Sequence, residues 1–141
     1  MSTFGTAKWQ GGLKDGKGAI STKSGALSDY PYGFASRFEG KPGTNPEELI
    51  GAAHAGCFTM ATAAALGRAG LTADKLATTA NLTLEQVSGN WTITTVDLAM
   101  TAKVPGIDAK KFDEIANDAK ANCPVSRVLN ATITMDARLV G

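Results

Sequence analysis

Two adjoining segments between residues 76 and 104, LATTANLTLEQV and WTITTVDLAMTAKV, alternate apolar side chains with threonine or other polar ones. A period of two belongs to strands with one buried face, and Ser88-Gly89-Asn90 between them supplies a hairpin turn. A third alternating run, ATITMDARLV, closes the chain. Near the start, glycines at 11, 12, 16 and 18 separate Phe4–Trp9 from Gly18–Lys23, and the Lys-Asp-Gly-Lys stretch between them suggests another hairpin. Residues 24–36 are rich in turn formers and lead to an expected short strand near Phe34–Phe38.

The pattern changes at Asn45. Asn45 suits an N-cap, Pro46 takes the first helical position, Glu47 and Glu48 complement the helix dipole, and Glu48 stands where a capping-box glutamate reaches back. The helix should continue to Gly70, a C′ residue, and span about 36 Å. Its bulky apolar residues are few and its Ala and Gly many, which predicts a central helix covered by sheet rather than a surface amphipathic one. Asp108 caps a second helix with Phe112, Ile115, Ala116 and Ala119 on one apolar face; Pro124 starts a short third. The order strands, helix, strands, helices, strand indicates an α+β fold with a mainly antiparallel sheet. No repeat or linker divides residues 1–141, so one domain is expected.

Composition narrows the function classes. Fourteen Lys+Arg balance 13 Asp+Glu among 141 residues, and no basic run occurs, which argues against nucleic acid or an anionic membrane as partner. The most apolar stretch, Leu49–Leu66, is mostly Ala and Gly and contains His54 and threonines, so it reads as a buried helix rather than a membrane span. The start lacks a cationic segment followed by an apolar one, and a cytosolic protein is expected. Two cysteines make no disulfide framework; in a reducing compartment they point to catalytic or redox thiols. With one histidine and no ligand cluster, nothing resembles a metal site, and neither a phosphate-binding glycine loop nor GxSxG occurs.

Cys57 lies mid-helix between small residues, where an inert buried thiol is the plain alternative. His54, three residues earlier, shares its helix face and could activate it as a nucleophile–base dyad. Equally, His54 could be a hydrogen-bonded histidine packed near the sheet. Cys123 precedes Pro124 at the N-cap of the short helix, where unpaired N–H groups favour a thiolate; by local chemistry it is the more acidic thiol.

Asn45–Phe58 (NPEELIGAAHAGCF) and the later Cys123-Pro124-Val125-Ser126 resemble the OsmC/Ohr family of thiol-dependent peroxidases, as do Pro31-Tyr32-Gly33-Phe34 and Ser36–Gly40, which are similar to the osmotically inducible branch. The likeness runs over essentially the whole chain. It implies an OsmC-like fold, with antiparallel sheets around a long central helix in an intertwined homodimer, and reduction of organic hydroperoxides, hydrogen peroxide less well, without metal or organic cofactor. By motif position Cys57 matches the peroxidatic cysteine and Cys123 the resolving one. Arg37 matches the arginine that stabilises the thiolate and polarises the peroxide, and Glu47 the carboxylate that orients it. The reductant implied is an external dithiol, and the setting cytoplasmic stress defence. Phe34, Phe38, Phe58 and Met60 are the apolar side chains available to hold an organic tail.

Two tensions accompany the resemblance. Local chemistry nominates Cys123 as the acidic thiol, whereas the family gives that role to Cys57. Glu47 and Cys57 also stand ten residues apart on one expected helix, about 15 Å of rise and about 280° of rotation. Either the helix begins after Glu47, or the other protomer delivers the carboxylate, which agrees with a site shared across a dimer. Two rival functions stay open: a Cys57–His54 acyl-transfer hydrolase and a non-catalytic redox-sensing or binding dimer.

Overall fold

The computed structural model describes all 141 residues, which fall into two compact units, Met1–Leu49 and Ile50–Gly141. In the first, β1 (Gly5–Gln10) and β2 (Lys17–Thr22) form the expected antiparallel hairpin, and β3 (Tyr30–Tyr32) adds to the far side of β2. The edge-to-face contact of Trp9 and Tyr32, with ring centroids 5.5 Å apart, ties β1 to β3 across the sheet.

Phe34–Phe38, expected as a strand, is a single helical turn, α1. The strand ends earlier, at Tyr32. Ser36 Oγ accepts from the Gly33 N–H (2.9 Å) and donates to the Thr44 carbonyl (2.8 Å), closing the turn that the aromatic spacing disguised as alternation. The same turn puts Phe34 and Phe38 on one side, with centroids 5.1 Å apart.

α2 (Pro46–Arg68) starts at the expected proline, and the Glu48 N–H donates to Asn45 Oδ1 at 2.7 Å. The Glu48 carboxylate does not reach back to the Asn45 backbone as a capping box would; it accepts from Thr44 Oγ1 at 2.9 Å. The helix stops just before Gly70, whose φ of +75° suits only a residue without Cβ.

The second unit is built on a sheet of order β4-β5-β6, where β4 is Lys75–Val87, β5 Asn90–Lys103 and β6 Thr132–Leu139. β4 and β5 join through Ser88 and Gly89, both at positive φ as a two-residue hairpin loop requires. β5 pairs with β6 in parallel, a departure from the otherwise antiparallel pairing. The reason is connectivity: α3 (Ala109–Asn122) and α4 (Pro124–Val128) lie between the strands, and such a crossover returns the chain in the same direction.

Alternate residues of β5 (Val96, Leu98, Met100, Ala102) form one buried cluster with Phe58 and Leu66 of α2 and Phe112, Ile115 and Ala119 of α3. α3 is capped by Asp108, which accepts from the Lys111 N–H at 2.7 Å, and buries all four residues of its expected apolar face. α2 departs from expectation. It passes the length and hydropathy test of a membrane span, and in the single chain it is not sheathed all round. Gly51, His54, Phe58, Thr62, Ala65 and Leu66 are buried, while Ala52, Ala53, Gly56, Met60, Ala63 and Ala64 are exposed. A helix of small residues permits close approach on every side, but one sheet covers only one.

Candidate active site

Cys57 faces the start of α4 from the middle of α2, and Cys123 occupies the junction of α3 and α4, where it is at once the C-cap of one helix and the N-cap of the other. Both are free thiols; Cys123 is buried and Cys57 partly so. They meet: the Cys123 side chain lies close enough to Cys57 to act on its titration. Burial pushes the Cys57 thiol above the ordinary cysteine range. The Val125 N–H, donating to its sulfur, opposes the rise, while the Cys123 side chain adds to it. The single chain therefore does not make Cys57 an acidic thiol.

Cys123 is held by Ser126 twice. The Ser126 N–H donates to Cys123 Sγ at 3.3 Å, the capping bond of α4, and Ser126 Oγ lies 3.1 Å from the same sulfur. On its other side Ser126 Oγ is 2.7 Å from His54 Nε2. His54, fully buried, thus contacts Ser126 and not Cys57 as in the dyad, and desolvation lowers its pKa below the usual histidine value. Its Nδ1 is buried without a hydrogen-bond partner. Sequence reasoning missed Ser126. An N-cap Cys with Ser at N3 hints at the backbone bond, but nothing in the sequence signals the link to a histidine 72 positions away.

Arg37 and Glu47 belong to the first unit. The Arg37 guanidinium grips the Glu47 carboxylate with two nitrogens, Nε at 3.0 Å and Nη2 at 2.5 Å from Oε1, and it also lies over the Phe38 ring, 5.1 Å from its centroid. Glu47 is nearly covered, at 12% side-chain exposure against 36% for Arg37, so the pair is fixed while part of the cation stays open. Among the apolar side chains nominated for a substrate tail, Phe58 is fully buried core and Met60 is 77% exposed; Phe58 cannot line a pocket. No group of three or more His, Cys, Asp or Glu side chains is placed to hold a metal.

An α+β chain that keeps two reduced cysteines in contact at a helix junction is a paired-thiol protein. The comparisons define it further. The family model described as OsmC-like protein matches residues 38–138. Peroxiredoxin OsmC of Escherichia coli (strain K12) is 55% identical over 135 residues, covering 96% of this chain and 94% of that protein. Among solved structures, the organic hydroperoxide resistance protein OhrB of Bacillus subtilis matches with a TM-score of 0.66 at 23% identity, covering 95% of this chain and 97% of that one. An OsmC-like protein from Mycoplasma pneumoniae matches with a TM-score of 0.74 at 15% identity over 100% of this chain and 99% of its own. The chain belongs to the OsmC-like protein family.

Proposed function

We propose that the protein is a two-cysteine peroxidase that reduces organic hydroperoxides, and hydrogen peroxide less well, to alcohols or water as one OsmC-like domain. The observation that carries this reading is the contact between the Cys57 and Cys123 thiols, 66 residues apart in sequence. The Cys57 thiolate attacks the distal peroxide oxygen, the alkoxide leaves and is protonated, and Cys57 becomes a sulfenic acid. Cys123 displaces hydroxide from that sulfur to give the Cys57–Cys123 disulfide, and an external dithiol of the dihydrolipoyl type restores both thiols by exchange.

The raised pKa of Cys57 gives the cation its task. Desolvation disfavours the thiolate, and a permanently charged guanidinium beside it reverses that bias and polarises the peroxide. Arg37 is our choice for that group and Glu47 for its orienting carboxylate. Because α2 begins at Pro46, Glu47 and Cys57 share one continuous helix and are separated by about 15 Å along it. Of the two alternatives left by the sequence, this favours delivery of Arg37 and Glu47 from a second copy in an intertwined homodimer. The exposed small-residue face of α2 is an apolar surface suited to burial in such a dimer. The free thiols fit a cytoplasmic setting and a role in oxidative or osmotic stress defence.

The test is steady-state consumption of cumene hydroperoxide with dihydrolipoamide as donor. The wild type should turn over many times per chain, Cys57→Ser should not, and Cys123→Ser should complete one sulfenate-forming turnover and stall. Equal steady-state rates for Cys57→Ser and wild type would overturn the reading.

A further inference from the structure

A buried chain of three side chains links Cys123, between α3 and α4, to two residues the mechanism above leaves unused, Ser126 of α4 and His54 of α2. His54 Nε2 to Ser126 Oγ is 2.7 Å and Ser126 Oγ to Cys123 Sγ is 3.1 Å. The three residues are 0%, 8% and 1% exposed, so water does not compete for these bonds. Directions in the chain follow from its ends. A neutral imidazole carries one N–H, and the only nitrogen of His54 with a partner is Nε2, since Nδ1 is buried with none. An orphaned buried N–H is the rarer and costlier arrangement, so the proton sits on Nε2, which donates to Ser126 Oγ. With its oxygen accepting from His54, Ser126 turns its own hydrogen toward Cys123 Sγ, which already receives the Ser126 N–H at 3.3 Å.

We propose that Ser126 is a catalytic residue of the disulfide-forming step and His54 its positioning residue: together they aim two donors of one serine at the Cys123 sulfur and hold it as the nucleophile that resolves the Cys57 sulfenic acid. This rests on the two-cysteine reading above. In the step itself, Cys123 gives up its proton and its sulfur bonds to Cys57 Sγ, while the S–O bond of the sulfenic acid breaks. The departing hydroxide and the released proton make one water. Cys123 is oxidised, the sulfenic sulfur is reduced, and no further oxidant is needed. His54 stays neutral throughout, in keeping with its desolvated surroundings; Cys123 faces it across Ser126, and Cys57 stands one turn along its own helix. Charge-assisted donors to a sulfur anion act most on the step in which that anion attacks; the first step, at Cys57, feels them only through its contact with Cys123.

The experiment separates the two steps in a single turnover of the full-length protein. Reduced protein is mixed with one equivalent of cumene hydroperoxide. Peroxide loss reports sulfenic acid formation; quenched-flow mass spectrometry reports disulfide closure. Ser126→Ala and His54→Leu should slow closure about tenfold and leave peroxide loss within about twofold of wild type, whereas Ser126→Thr and His54→Gln, which keep a hydroxyl and an N–H donor, should recover most of the rate. A second readout needs no peroxide. In a Cys57→Ser background, Ser126→Ala and His54→Leu should change the rate of disulfide exchange of Cys123 with a small aromatic disulfide at fixed pH about as much as they change closure, and the Thr and Gln variants should restore it. Unchanged closure and unchanged exchange overturn the proposal, as does equal slowing of both steps with no rescue. A wild type that consumes no peroxide while the exchange rates change as stated sinks the peroxidase reading instead, and leaves the thiol-positioning role standing.

Discussion

His54 is the chain's only histidine, so a change in stability between pH 7.5 and 5.5 can be traced to one side chain. It is fully buried, its Nδ1 lacks a partner, and burial lowers its pKa from the usual 6.5. In the unfolded chain the same imidazole takes up a proton as pH falls through about 6.5, and in the folded chain it resists. The unfolded state therefore binds more protons, and the stability this group contributes is intact above pH 6.5 and lost below it. While the folded imidazole stays neutral, the loss approaches about 1.4 kcal/mol per pH unit below 6.5, and from pH 7.5 to 5.5 it amounts to about 1.4 kcal/mol. With an m-value of about 2 kcal/mol/M, the urea midpoint should fall by about 0.7 M over that range. The assay is urea unfolding by circular dichroism at several pH values and one fixed protein concentration, on wild type and His54→Gln. The wild-type midpoint should drop and the variant's should stay level. Equal slopes in the two proteins, or a flat wild type, would refute the picture of a neutral buried imidazole.

Three further outcomes are expected. Arg37→Ala should slow peroxide consumption and shift the pH midpoint of Cys57 alkylation upward by about one unit, read from pH–rate profiles of the two proteins. Phe58→Ala empties a fully buried ring site and should cost about 3–5 kcal/mol, measured by thermal and urea denaturation. Met60→Glu, on the exposed face of α2, should change the light-scattering mass from that of two chains to that of one without unfolding the protein; a variant that stays dimeric would place the interface elsewhere.

The sequence carried the local features well because local chemistry makes them. Asn45 and Pro46 set the start of α2, Asp108 that of α3, and Ser88-Gly89 the β4–β5 hairpin, each through bonds made within a few residues. Phe34–Phe38 was misread because two aromatics four apart satisfy a strand's alternation and a helical turn alike; the deciding bonds run from Ser36 to Gly33 and Thr44. The parallel pairing of β6 with β5 and the one-sided burial of α2 are tertiary outcomes that no short window contains. The same holds within the site. Cys57 and Cys123 were each visible, but their contact, the Ser126–His54 bond and the upward shift of Cys57 exist only once α2 and α4 are brought together. The helix-end argument for Cys123 identified a real capping bond, that of the Ser126 N–H to its sulfur.

The most direct test of the account is the fate of the two sulfur atoms after one oxidising equivalent. Reduced protein treated with one equivalent of cumene hydroperoxide should lose about 2 Da, yield a peptide joining Cys57 to Cys123 on digestion without reductant, and regain its mass with dihydrolipoamide. An unchanged mass, or oxygen retained on Cys57 with no cross-linked peptide, would contradict it.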